Sequence, residues 1–182
     1  MLNKSVARRY AEAFFSIAQD NNKIDQFQTE LEKVVAKINE LENLKEYFAH
    51  LLIPAKEKKE VAKKLFQEDL SPTTLSFILM VIDKRRETYF EAILDEYKEM
   101  ADESRNITKA DLIVAREVPE DEVEVLAQKL SATSGKTVQL KVAVDPSLIG
   151  GIKIRMGDQI IDGTVAKRLE MLRESLKKAK IS

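Results

Sequence analysis

The sequence has no cysteine, one histidine, five glycines and four prolines in 182 residues. Without cysteine there is no disulfide stapling and no thiolate metal site. The shortage of glycine and proline argues for long regular elements and against a loop-rich fold. There is no excess of one charge: Lys+Arg is 30 against Asp+Glu 31, a formal net charge of -1. A polyanion binder carries a basic excess or stripe, so nucleic acid is not the first expectation. No long hydrophobic run exists either. The longest, Phe77 to Ile82, is far short of the roughly 20 residues that span a bilayer. The N-terminus enters a helical pattern at once, with no signal-peptide core and no long Arg/Ser-rich transit segment. The expectation is a cytoplasmic protein of ordinary soluble composition, hydrophobic 44% and charged 34%.

What is present begins with helices. Up to about residue 105 the apolar residues recur three and four apart. The first segment carries Val6, Ala7, Tyr10, Ala11, Ala13, Phe14, Ile17 and Ala18, and Asn21-Asn22 breaks it. A second follows with Ile24, Phe27, Leu31, Val34, Ile38 and Leu41. Shorter pieces surround Leu44, Tyr47, Phe48 and Leu51, then Val61, Leu65 and Phe66, with Pro54 between them. Ser71-Pro72 opens a fifth helix, the serine as N-cap and the proline in the first turn. A sixth carries Phe90, Ile93, Leu94, Tyr97, Met100 and Ala101. Six helices with short links predict a bundle.

Past Ser104-Arg105-Asn106 the period changes. Ala110 to Val114 reads as a strand. Val118-Pro119 and the acids Glu120, Asp121 and Glu122 open a helix with Val123, Leu126 and Leu130 on one face. Val138, Leu140, Val142 and Val144 then alternate with polar residues, as do Ile152, Ile154 and Met156. Gly157-Asp158 makes a tight turn before Ile160-Ile161. A last helix from Thr164 carries Val165, Leu169, Leu172 and Leu176. The expected architecture is α+β: a six-helix bundle over 1–105 and a small α+β domain over 106–182.

Little in the sequence carries chemistry. A catalytic centre needs converging groups with tuned proton affinity. His50 stands alone in the apolar helical stretch Tyr47 to Ile53, where a partly buried surface residue is the expectation. No serine lies in a nucleophile elbow and no Gly-rich loop ends in Gly-Lys-Ser/Thr. The acidic run at Glu120 lacks calcium-loop spacing and reads as helix capping. Gly150-Gly151 lacks the rest of a phosphate fingerprint and reads as a strand bend or close backbone contact. Asp162 before Gly163-Thr164 reads as an N-cap. The basic groups Arg8-Arg9, Lys56 to Lys64, Lys84-Arg85-Arg86 and Lys177-Lys178 read as solvated helix surface. No cofactor and no metal are expected.

Two helices have more apolar surface than a bundle requires. The first presents an apolar arc on the order of 220°, against about 100° for an ordinary amphipathic helix. The helix after Ser71-Pro72 has almost no polar side from Leu75 to Ile82. Either both are central helices, or they share a groove that receives another protein's amphipathic helix.

The run Asp145-Pro146-Ser147-Leu148-Ile149-Gly150-Gly151-Ile152-Lys153-Ile154, then Gly157-Asp158, then Ile161-Asp162-Gly163-Thr164-Val165, resembles the C-terminal signature of the ATP synthase delta subunit family. That family includes the mitochondrial oligomycin sensitivity-conferring protein. Ala7-Arg8-Arg9-Tyr10-Ala11-Glu12-Ala13-Phe14 is similar to the family's opening helix, and the layout matches along essentially the whole chain. Thr164 stands where many members have serine. The resemblance implies a non-catalytic stator that links the catalytic head to the peripheral stalk, at the cytoplasmic face of a bacterial plasma membrane. It implies two partners: N-terminal helices of alpha subunits on the bundle, and the C-terminal end of b subunits on the second domain. It places the alpha groove between the first and fifth helices, with Tyr10, Ala13, Phe14, Ile17, Leu75, Ile78, Leu79 and Ile82 as expected lining. Gly150, Gly151, Gly157, Asp158, Asp162 and Gly163 are assigned to folding. The competing expectation, a small ribosome- or RNA-associated factor, requires salt-sensitive RNA binding.

Overall fold

The computed structural model describes residues 4–40, 42–157 and 159–179. Leu41 and Asp158, used above in sequence patterns, lie outside them. The chain divides into two compact units, Met1–Asp102 and Glu103–Ser182; the sequence reading drew its line at 105.

The first unit holds α1 (Lys4–Asp20), α2 (Ile24–Glu40), α3 (Glu42–Ala49), α4 (Ala55–Phe66), α5 (Pro72–Asp83), a 3-10 turn (Glu87–Tyr89) and most of α6 (Phe90–Ser104). Local chemistry sets the boundaries. Asn22 takes a φ of 53°, a left-handed conformation that asparagine tolerates, and this reverses the chain between α1 and α2. Ser71 caps α5, its hydroxyl accepting from the Thr74 amide at 3.4 Å with Pro72 in the first turn. The core is aromatic at its centre. Phe14 stacks on Phe27 at 4.9 Å and on Phe77 at 4.2 Å between ring centroids, and Tyr97 tilts against it at 5.7 Å. The Tyr97 hydroxyl donates to the Ile24 carbonyl at 3.0 Å, which satisfies the one polar atom of that side chain. All four tyrosines and all seven phenylalanines of the chain fall in this unit.

Two residues depart from the sequence expectations. Lys58, within the run read as solvated surface, is buried: its ammonium pairs with the buried Glu87 carboxylate and donates to the Phe48 carbonyl at 2.6 Å. A lysine is buried only with such partners, and these lie 29 and 10 residues away. His50 is not in a helix. α3 stops at Ala49, and His50 and Leu51 are exposed in the turn that follows.

The second unit holds β1 (Ile107–Val114), α7 (Glu120–Ser134), β2 (Thr137–Val144), β3 (Ile152–Met156), β4 (Gln159–Asp162) and α8 (Val165–Ala179). The sheet order is β2-β1-β3-β4. β1 and β2 are parallel, with Ala110 opposite Leu140 and Val114 opposite Val144. α7 supplies the crossover that a parallel pair needs. β3 runs antiparallel to β1 and β4. Opposed residues share a face, so Ala110, Leu112, Val114, Val138 and Ile154 form one apolar surface. They are buried, with Val123, Leu126 and Leu130 of α7 packed on them. Gly135 ends α7 in the left-handed conformation, φ 69°.

Candidate partner-binding surfaces

On α1 the buried residues are Ala7, Ala11, Phe14 and Ala18. They form one stripe, at i, i+4, i+7 and i+11. Val6, Tyr10, Ala13 and Ile17 repeat the same spacing one residue earlier. About 100° away around the helix, that second stripe is not covered: Val6 and Tyr10 are half-buried, Ala13 is exposed, and Ile17 is 41% exposed. The helix's other flank meets α6, where Phe15 contacts the Tyr97 ring edge at 5.5 Å and Lys4 pairs with Glu96 at 3.2 Å. The hydrogen bond to Glu96, then the charge of Glu99, raise the proton affinity of Lys4 above the ordinary lysine value. α1 is therefore closed on two sides and open on a third, and the open side is apolar.

α5 divides differently from the expectation. Ile78 and Ile82 are fully buried, and Leu75 and Leu79 are half-buried. Leu79 and Met80 line an open crevice toward α4 with Lys56, Lys59 and Lys63. Phe77 of α5 meets α1 through its stack on Phe14. Met80, one turn beyond Phe77, is 42% exposed. Of the eight expected lining residues, then, Phe14, Ile78 and Ile82 are core. Tyr10, Ala13 and Ile17 line the open face of α1, and Leu75 and Leu79 lie away from Phe77 on the α5 wheel. Phe77, which makes the ring contact with α1, is not among the eight. The Ser71-Pro72 start fixes the register of α5, but only the Phe14–Phe77 contact says which side of it faces α1.

The N-terminus of α5 is anchored from below. Glu30, buried on α2, accepts from Ser71 Oγ at 2.7 Å and from Gln26 Nε2 at 2.7 Å. Burial works to raise its carboxyl, yet hydrogen bonds from Thr74, Gln26 and Ser71 outweigh that and hold it below the usual glutamate value. The carboxylate stays charged and ties α2 to the cap of α5.

In the second unit no described side chain of α8 is buried, and Leu169, Leu172 and Leu176 are each more than half exposed. Their spacing puts them on one stripe. Val142, Val144 and Ile161 extend the sheet's apolar face past the cover of α7 and are also exposed.

The glycine signature builds the link between β3 and α8. Gly151 has a φ of 86°, and a Cβ there would stand 2.5 Å from the Gly163 carbonyl oxygen. Gly163 donates its amide to the Ile152 carbonyl at 2.9 Å, and Val165 donates to the Gly150 carbonyl at 3.0 Å. Gly157, φ 55°, turns β3 into β4. Asp162 is not the helix N-cap: Thr164 is, its hydroxyl accepting from the Lys167 amide at 3.2 Å. Asp162 accepts from the Thr164 hydroxyl at 2.7 Å and amide at 3.0 Å. Those bonds hold its carboxyl below the usual aspartate value. Among the described residues no group of three or more His, Cys, Asp or Glu is placed to hold a metal ion. No helix among them is long and apolar enough to cross a membrane.

Residues 6–176 match the family model described as ATP synthase delta (OSCP) subunit. The chain is 66% identical over 182 residues, 100% of both chains, to the ATP synthase subunit delta of Syntrophomonas wolfei subsp. wolfei. It is 38% identical to that of Desulforudis audaxviator, again over 100% of both. A chain in the cryo-EM structure of the Toxoplasma gondii mitochondrial ATP synthase hexamer shares the fold, with a TM-score of 0.69 and 18% identity over 93% of this chain and 96% of that one.

Proposed function

The chain belongs to the ATP synthase delta (OSCP) subunit family, and on that premise we propose that it is the non-catalytic stator that joins the catalytic head to the peripheral stalk. The open α1 stripe, Val6, Tyr10, Ala13 and Ile17, with Met80 of α5, is the seat of an N-terminal helix of an alpha subunit. Phe14 and Phe77 are the floor that keeps the two helices together. The bare stripe of α8 and the uncovered sheet residues receive the C-terminal end of the b subunits. The complex sits peripherally at the cytoplasmic face of a bacterial plasma membrane.

The observation that carries this reading is the second α1 stripe. A helix that must only complete its own bundle needs one apolar stripe, and α1 carries two. The role is mechanical. A stator resists rotor torque by not dissociating, and apolar burial at about 25 cal/mol per Å² lets one docked helix hold firmly. Nothing in such a task requires a proton, a nucleophile or a metal.

The test is titration of the full chain with a peptide from the N-terminus of the alpha subunit of the same organism. Ile17→Asp should weaken binding by about tenfold or more, since a buried isoleucine contributes about 1.5–3 kcal/mol. Its urea midpoint should stay unchanged, because Ile17 is outside the core. No binding to the folded chain at high micromolar peptide, or equal binding by Ile17→Asp, overturns the reading.

A further inference from the structure

The turn between α3 and α4 carries two leucines that stand almost wholly in water, Leu51 at 84% and Leu52 at 86% exposure. Single exposed leucines are ordinary. This pair is not, because the turn that carries it is braced. Arg85 donates from Nη1 to the Leu51 carbonyl at 3.0 Å and to the Ile53 carbonyl at 2.9 Å. Arg85 is also the left-handed residue, φ 55°, that ends α5, with the Arg86 amide donating to the Val81 carbonyl at 3.0 Å. The Leu52 amide donates to His50 Nδ1 at 3.3 Å. At the base of the turn, the buried Lys58 holds the Phe48 carbonyl at 2.6 Å. The fold thus commits a charged side chain and a buried ion pair to a loop whose tip stands in water.

The border of the tip is cationic. Lys84, Arg85 and Arg86 follow one another at the end of α5, all exposed. The acids that flank them in sequence are both taken, Asp83 by Lys59 at 2.5 Å and Glu87 by the buried Lys58. Arg86 is held over the Tyr89 ring at 5.6 Å.

We propose that the Leu51-Leu52 turn is a preformed docking knob for another subunit of the same complex, one that offers an apolar socket rimmed by Asp or Glu carboxylates. Rigid anchors favour a protein socket, because the cost of ordering the loop is met before binding. A fluid bilayer gains nothing from two leucines held in fixed geometry, and stable membrane attachment takes more apolar area than they supply. A second copy of this chain fits poorly, since a two-fold contact brings like patches together and sets cation against cation. The knob uses none of the residues of the α1 stripe. It depends on the chain being a subunit of ATP synthase and not on where the alpha helix docks.

The lack of cysteine makes the test clean. A benzophenone maleimide is placed on Leu52→Cys, and separately on Lys56→Cys, which leaves both leucines intact. Each labelled chain is built into the whole ATP synthase, irradiated, and the crosslinked peptides are sequenced. Both sites should reach one acidic segment of another subunit. The double variant Lys84→Glu/Arg86→Glu, which spares the bracing Arg85, should cut the yield by about fivefold or more at low salt. Its urea midpoint serves as the folding control. The proposal fails if neither site crosslinks to protein, or if crosslinks form only to lipid or only to a second copy. It also fails if the captured segment lacks carboxylates, or if charge reversal leaves the yield unchanged in a folded chain.

Discussion

Breaking the Lys58–Glu87 pair should unfold the helical unit at much lower denaturant, and removing both charges together should restore most of the loss. The side chains are 1% and 5% exposed, so solvent screens neither. Lys58→Met leaves the Glu87 carboxylate buried without its cation, and one of its oxygens, Oε2, already has no hydrogen-bond partner. Glu87→Met leaves the ammonium with the Phe48 carbonyl alone. Removing one member of a buried pair costs about 3–5 kcal/mol. At roughly 2 kcal/mol per M of urea, each single variant lowers the midpoint by roughly 1.5–2.5 M. Lys58→Met/Glu87→Met has no charge to bury and keeps a similar volume. Its residual loss should be about 1 kcal/mol, for the Phe48 carbonyl left without its donor. The readout is tyrosine emission during urea unfolding. Every tyrosine, at 10, 47, 89 and 97, lies in the first unit, so the signal does not see the sheet. The decisive quantity is the coupling in the double-mutant cycle. If the two losses simply add, and the double variant is the least stable of the three, the argument for a mutually dependent buried pair is wrong.

Two further predictions concern the second unit. Gly151→Ala forces a Cβ to within 2.5 Å of the Gly163 carbonyl at a φ of 86° and should destabilise that unit by at least about 2 kcal/mol. Amide exchange should accelerate across β3, β4 and Val165, while tyrosine-monitored unfolding of the helical unit stays the same. Asp162 has a depressed folded-state proton affinity, owed first to the Thr164 hydroxyl and then to its amide. Its stabilisation is therefore present above the ordinary value of 3.8 and lost as pH falls through the lower folded value. Exchange protection at Thr164 and Lys167 should exceed that of Asp162→Asn at pH 5 to 6, with the gap closing below pH 4. A gap independent of pH down to pH 2.5 refutes the assignment.

Sequence reasoning reached the secondary structure because each signal was local. The Ser71-Pro72 start, the acids at Glu120 and the period-two run from Val138 act within a few residues. It also found that α1 is apolar over more than one face. It did not say which of two stripes turns inward. Ala7-Ala11-Phe14-Ala18 and Val6-Tyr10-Ala13-Ile17 have identical spacing, and both are apolar. The small residues of the first let neighbouring helices approach, and the aromatic stack on Phe14 fixes the choice. Lys58 looks like its neighbours in the lysine run until Glu87 is folded against it from 29 residues away.

By itself the sequence determined the order of elements, the α+β class, the family and the surplus of apolar surface, because periodicity, caps and turn glycines are written in adjacent residues. The tertiary structure decided which part of that surplus is core and which is offered outward. It also decided that a lysine is buried, and that two leucines are held in water on a braced turn. Burial is a property of what packs against a residue, and for each of these the partner comes from a distant part of the chain.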